Sequence, residues 1–176
     1  MNEIEVKIFN INKNKIICKL ISLNAKKVFD GKLTANLYKS KTEDMDFMLR
    51  LRSDGKESYL TYKKGISKDE VKITKELEVK VEDFKKMNSI IENIGFCKKQ
   101  TLIKNRESYI VIYEDEKIRI EFDEYLGKYS KVPLFMEIEA PSKKSLIKFA
   151  KVLGISKEDF DTSHTSQLIR KYYPNV

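Results

Sequence analysis

Hydrophobic and polar positions alternate along most of this chain. In the first eight residues Glu3, Glu5 and Lys7 alternate with Ile4, Val6 and Ile8. A strand sends successive side chains to opposite faces, so two carboxylates and an ammonium share one face and three branched apolar residues share the other. The pattern recurs at 46–52, where Phe47, Leu49 and Leu51 oppose Met48, Arg50 and Arg52. Asp54-Gly55 then signals a hairpin, and the return strand groups Tyr59, Thr61 and Lys63 opposite Leu60 and Tyr62. From Val71 to Val81, Val71, Ile73, Leu77 and Val79 oppose Thr74, Glu76, Glu78 and Lys80. Two more strands, about 97–113 and 117–125, meet at the acidic turn Glu114, Asp115, Glu116; in the second, Arg119, Glu121 and Asp123 alternate with Ile118, Ile120 and Phe122. The segment 134–140 sets Glu137 and Glu139 opposite Met136 and Ile138. Residues 26–39 read either as one extended strand or as a hairpin, with Asp30-Gly31 a candidate tight turn.

Three stretches carry helical spacing instead. Asn12 caps a run with Ile16, Ile17, Leu20, Ile21 and Leu23 on one face. Residues 82–94 place Phe84, Met87, Ile90, Ile91 and Ile94 in a stripe that Gly95 ends, and a third helix runs from the Ser142 cap to Leu153, closed by Gly154. The tail after Gly154 predicts one or two short helices.

Around eight alternating strands and three amphipathic helices pose a packing problem. If the helices cover the apolar faces, the charged faces are left together, and a sheet that curls closed makes them the wall of a hydrophilic tunnel. The reverse arrangement, apolar inside and charge in water, is the usual one, and periodicity alone favours it.

Composition narrows the choice. At 176 residues, 41% hydrophobic and 35% charged, the chain suits one globular domain over 1–176, with no apolar run long enough to span a bilayer and no secretory leader pattern, so a cytoplasmic protein is expected. Lys and Arg outnumber Asp and Glu 35 to 27, giving a formal charge of +8 that favours anionic partners. Arginine is scarce, and its planar fork suits phosphate. Cys18 and Cys97 lack metal-like or CxxC spacing and read as reduced thiols. With a single histidine, any metal must be held by oxygens, which favours magnesium, manganese or calcium.

EIEVK at residues 3–7 resembles the N-terminal ExExK signature of the CYTH superfamily, the triphosphate tunnel metalloenzymes, which include class IV adenylyl cyclases, thiamine triphosphatases and inorganic triphosphatases. The order of later blocks strengthens the resemblance across nearly the whole chain: LRLR at 49–52, LTYKKG at 60–65, KELEVKV at 75–81, KNRESY at 104–109, IRIEFDEYLG at 118–127 and FMEIEA at 135–140. It implies an α+β, mainly antiparallel fold: a closed eight-stranded barrel, the triphosphate tunnel, with a polar interior and helices over its apolar outer face. The resemblance also implies that Lys7, Arg50, Arg52, Lys63, Lys104, Arg106 and Arg119 bind the phosphates. Glu3, Glu5, Glu137 and Glu139 would ligate Mg2+ or Mn2+. Glu5, Glu137 and Glu139 are the catalytic candidates, with one tunnel glutamate serving as base toward a metal-activated water. Glu76, Glu78 and Asp123 would complete a second metal site or orient a lysine.

The expected activity is metal-dependent hydrolysis of a triphosphate, whether tripolyphosphate or a nucleoside or thiamine triphosphate. A class IV adenylyl cyclase is the alternative. A non-catalytic module binding RNA or polyphosphate is the third reading, but it has no use for glutamates paired on the same face as arginines, so nucleic acid is not the expected partner. Dimers occur among relatives, and the oligomeric state is not legible here. Many relatives carry a tyrosine where this chain has His164, which reads as a surface or helix-capping residue with contact to substrate as the alternative, and Trp is absent. Tyr38, Tyr59 and Tyr109 are the aromatics left to stack on a substrate ring.

Overall fold

The computed structural model describes residues 2–67 and 69–174. Strands β1 (Asn2–Ile8), β2 (Lys26–Ser40), β3 (Phe47–Ser53), β4 (Ser58–Ser67), β5 (Lys72–Val81), β6 (Phe96–Tyr113), β7 (Glu116–Tyr125) and β8 (Phe135–Ala140) pair in the order β5-β4-β3-β2-β6-β7-β8-β1. A further pairing of β1 with β5 joins the ends, so eight antiparallel strands close into a ring. The closing seam is short, pairing residues 2–5 with 72–75. A two-residue strand, β9 (Phe160–Asp161), adds to β1 outside the closure, an element the sequence pattern did not predict.

Four helices lie against this ring: α1 (Lys13–Ser22), α2 (Phe84–Asn93), α3 (Lys143–Leu153) and α4 (Thr165–Tyr172). Their starts follow the expected chemistry. Asn12, Asp83 and Ser142 each accept a hydrogen bond from a backbone N–H in the first turn, and α3 ends on Gly154 with φ of 82°. Helices α1 and α3 bury Ile16, Leu20, Leu146 and Phe149 against the outer faces of β1, β6, β7 and β8, where Val6, Val111, Ile120 and Ile138 are almost fully buried. Helix α2 covers Tyr38 and Leu51 with Ile91 and ties itself to the sheet through Asn88, which accepts from Tyr38 Oη at 2.7 Å. The third cluster lies on the inner face. Ala35 and Leu37 are in register with Arg52 and Arg50 and so share their face, and Leu168 and Ile169 of α4 pack against them at one end of the ring.

Of the two readings of residues 26–39, the continuous strand is the one that forms, and no hairpin turns at Asp30-Gly31. β2 runs straight through, with Asp30 and Gly31 paired to Glu107 and Arg106 of β6, because β6 offers an eighteen-residue partner along the whole length. Glycine serves a different purpose at that point: the ring of Phe29 lies 3.3 Å from where a Cβ on residue 31 would sit. The acidic turn between β6 and β7 forms as expected, with Glu114 and Asp115 at φ of 50° and 63°, the double left-handed conformation that matches strand twist.

Candidate active site

Register decides which charges meet. Directly opposed residues share a face, so the chain of partners Lys72, Glu5, Glu139, Arg119 and the chain Lys7, Glu137, Glu121, Ser108 run round the inner wall. On the other side Met48 opposes Lys63, which opposes Glu76, and Thr61 lies between Arg50 and Glu78. The wall encloses about 750 Å³ and carries eight bases, Arg50, Arg52, Lys63, Lys72, Lys99, Lys104, Arg106 and Arg119. Eight acids face them: Glu3, Glu5, Asp46, Glu76, Glu78, Glu121, Glu137 and Glu139. A smaller cavity of about 300 Å³ reaches the β3–β4 turn and shares Arg52, Glu78, Arg106, Arg119 and Glu121 with the first, so the interior continues from the α4 end toward that turn.

The charges are unevenly matched. Arg106 is saturated: it pairs with Glu121 and Asp123 and reaches Glu137 at 2.9 Å. Burial opposes the charge of Asp123, but Arg106 and Lys104 outweigh it and bring its carboxyl down to about 2. Burial likewise opposes Lys7, which Glu5 at 3.5 Å and Glu137 at 3.2 Å hold charged, its pKa raised. Lys7 and Asp123 share the inner face but are buried beneath their partners and do not line the cavity themselves.

Arg50 and Arg52 are held loosely. Arg50 donates to Thr61 at 3.2 Å and lies 3.6 Å from Glu78 and 3.9 Å from Glu76, while its Nε is buried with no hydrogen-bond partner. Arg52 has Glu78 at 3.5 Å; burial first, then the neighbouring charges of Arg50 and Arg106, lower its pKa. This stretch of wall is short of negative charge.

The opposite stretch is short of positive charge. Glu3 accepts from Thr74 at 3.1 Å and pairs with Lys63, yet burial, together with Glu5 and Glu76, pushes its carboxyl up to about 7. Glu139 is raised by burial and by Glu121, with Arg119 no nearer than 3.8 Å. Glu5 differs. Burial opposes its charge, but Lys7, Lys63 and Lys72 keep it well below the usual carboxylate range. Among the described residues no three acidic, histidine or thiol side chains form a ready cage for a metal ion. The donors nevertheless fit a hard divalent cation. They are oxygens, and two of them, Glu3 and Glu139, are destabilised for want of positive charge. Magnesium commonly binds through one or two carboxylates plus phosphate oxygens, without an all-protein cage.

All the residues expected at the site converge on this interior. The sequence assigns no role to Lys72 or Glu121 although both sit on alternating faces, Lys72 two residues before Thr74 and Glu121 between Arg119 and Asp123. Lys99, Gln100 and the segment 45–47 carry no such signal, because only folding brings them to the mouth. His164 is the N-cap of α4, its backbone N–H donating to Gln167 at 3.0 Å, and it also lines the cavity beside Gly65. Of the three tyrosines, Tyr109 packs into the outer core, Tyr38 packs with Ile91 of α2 yet also lines the larger cavity, and Tyr59 borders the smaller one, donating to Glu57 at 2.6 Å. Among the described residues no helix is long and apolar enough to cross a membrane.

Comparison with known proteins agrees with this geometry. The sequence model of the CYTH domain matches residues 1–163. A Methanocaldococcus jannaschii protein provisionally named an adenylate cyclase is 30% identical over 186 aligned positions, covering 98% of this chain and 97% of its own. Among solved structures, a Pyrococcus horikoshii protein superimposes with a TM-score of 0.74 at 22% identity, over 94% of this chain and 98% of its own. A Hippeastrum protein provisionally named an adenylyl cyclase, and described as having a dominant triphosphatase activity, gives a TM-score of 0.67 at 16% identity over 97% and 95% of the two chains. At these identities the two structures speak for the shared fold.

Proposed function

The chain belongs to the CYTH domain family, and on that premise we propose that it is a divalent-metal-dependent triphosphatase that holds its substrate inside the ring. One observation carries the reading: Arg50 and Arg52 keep donors without firm partners, the buried Nε of Arg50 among them, facing an acidic wall short of positive charge. A buried donor without an acceptor costs free energy that a phosphate oxygen would recover. A wall with equal numbers of acids and bases cannot hold a tetra-anion unaided, so cations must enter with it.

Residue roles follow from the pairing. Arg50, Arg52, Lys63, Lys104 and Arg119 bind the phosphates, while Lys7 and Arg106 chiefly fix the carboxylates beside them. Glu3, Glu5, Glu137 and Glu139 provide the metal-binding oxygens, and magnesium or manganese bound there would offset phosphate charge and acidify a water. Glu76 and Glu78 orient Lys63, Arg50 and Arg52, and Asp123 orients Lys104 and Arg106. Glu139 is the proton acceptor for the attacking water, since its pKa is raised and its one cationic neighbour is distant.

The identity to a protein provisionally named an adenylate cyclase supports a second reading, cyclisation of ATP. One experiment separates them. Purified protein is incubated with tripolyphosphate, ATP or thiamine triphosphate and magnesium, manganese or calcium, and the products are resolved. Orthophosphate release is the expected result; cyclic AMP with pyrophosphate would select the cyclase. Turnover of none of the three, with tight metal-independent RNA binding, would point to a binding module instead.

A further inference from the structure

Lys72 is the buried cation to which the proposed chemistry gives no task. Its ammonium pairs with Glu5 across the β1–β5 seam, and its side chain borders the cavity. We propose that Lys72 is an internal stand-in for the divalent cation: it neutralises Glu5 while the tunnel is empty and is displaced from that carboxylate when metal binds. The inference rests on the reading of Glu5 as a metal ligand.

Three facts single out Lys72. The seam is the shortest ladder of the ring, four register pairs from Asn2↔Lys75 to Glu5↔Lys72, and both its inner-face contacts use acids assigned to the metal. In an empty tunnel Lys72 is the ammonium that compensates buried Glu5 across that seam, where no other base is in register with it. Next, Glu5 is crowded by ammonium groups, with Lys7 at 3.5 Å and Lys63 at 4.0 Å besides Lys72. A doubly charged ion arriving at Glu5 meets all three, and the repulsion favours loss of one. Finally, the three are not equally bound. Lys7 is locked between Glu5 and Glu137, and Lys63 bridges Glu3 and Glu76, but among the described residues Glu5 is the only carboxylate within ion-pair reach of Lys72. Lys72 loses one partner by turning away, and the cavity gives its flexible chain a place to turn, toward a bound phosphate.

The test measures metal binding without substrate. Manganese titration by calorimetry is run on wild type, Lys72→Met and Lys72→Arg, alongside melting without metal. Lys72→Met should bind Mn2+ at least about tenfold tighter and melt lower without it, while Lys72→Arg, which keeps the charge, should not gain affinity. Because Lys72→Met removes a buried counter-ion and can fail to fold, the wild-type ammonium resonance of Lys72 is followed by NMR as Mg2+ is added; it should shift or vanish. Equal or weaker Mn2+ binding by Lys72→Met, an unmoved Lys72 resonance at saturating Mg2+, or no wild-type metal binding without substrate each overturns the inference. Turnover is measured separately, so a protein that shows the exchange but hydrolyses no triphosphate would retain this inference and lose the proposed function.

Discussion

Two arginine sites in one tunnel, on strands separated only by β2, behave differently. Arg106 on β6 is gripped by Glu121, Asp123 and Glu137, which hold its charge firmly, against a sheet whose outer face is sealed by α1 and α3. Arg50 and Arg52 on β3 have only longer contacts to Glu76 and Glu78, and β5, the strand beyond β4, leaves Leu77 and Val79 exposed outside. The first side is a closed electrostatic unit that maintains itself. The second is incomplete, and a ligand would complete it. A tunnel that must survive empty and still bind a polyanion needs both kinds of wall.

Paired substitutions test that division, and they carry the largest effects. Arg106→Met leaves three buried carboxylates repelling one another and should cost about 3–5 kcal/mol of stability in urea denaturation. Arg52→Ala should leave the denaturation midpoint near that of wild type, because burial and the adjacent guanidinium groups already disfavour its charge. Its loss should instead cut kcat/KM on tripolyphosphate by about a hundredfold or more, the scale of one lost transition-state donor. Equal stability losses in the two variants would erase the distinction.

The two sides were also unequally legible in the sequence. Period-two alternation showed the inner residues of β1, β3, β7 and β8, and the resemblance supplied their convergence, which alternation alone could not choose over solvated faces. What stayed hidden depends on pairing between distant strands. That Arg106 is saturated and Arg50 is not follows from registers of β6 with β7 and β3 with β4, which no local pattern encodes. Asp30-Gly31 left strand and hairpin both open for a related reason: its turn propensity is real, but the long ladder with β6 overrides it. Lys72 was missed because Lys75 interrupts the apolar face of β5 and blurred where the strand's inner face begins.

A smaller effect is expected from pH, and it reports on the acid-rich wall. The Glu3 carboxyl is raised from 4.5 to about 7 in the folded protein. Between those values the native state holds a proton that the unfolded state has lost, so stability from this group is greatest at low pH and falls as pH rises through about 7. Without metal, the wild type should therefore lose stability from pH 5.5 to 8 more steeply than Glu3→Gln. Added Mg2+ should flatten the wild-type curve by stabilising the ionised form. Parallel curves for the two proteins would show that Glu3 is not strained by its neighbours.

The smallest change is expected on the uncovered outer face of β5. Leu77 and Val79 are 54% and 58% exposed and belong to none of the three apolar clusters, whereas Leu51 on β3, two strands away, is fully buried beneath α2. Exposed positions away from caps and cores usually shift stability by no more than about 0.5 kcal/mol. Leu77→Lys should accordingly stay within that range, with an unchanged denaturant slope and undiminished tripolyphosphate turnover, since the residue points away from Arg50 and Arg52. A loss above about 1.5 kcal/mol that grows with protein concentration would mean that a second copy covers this face in solution. In that case the looser wall would be looser only in the isolated chain, and the contrast with the Arg106 side would narrow.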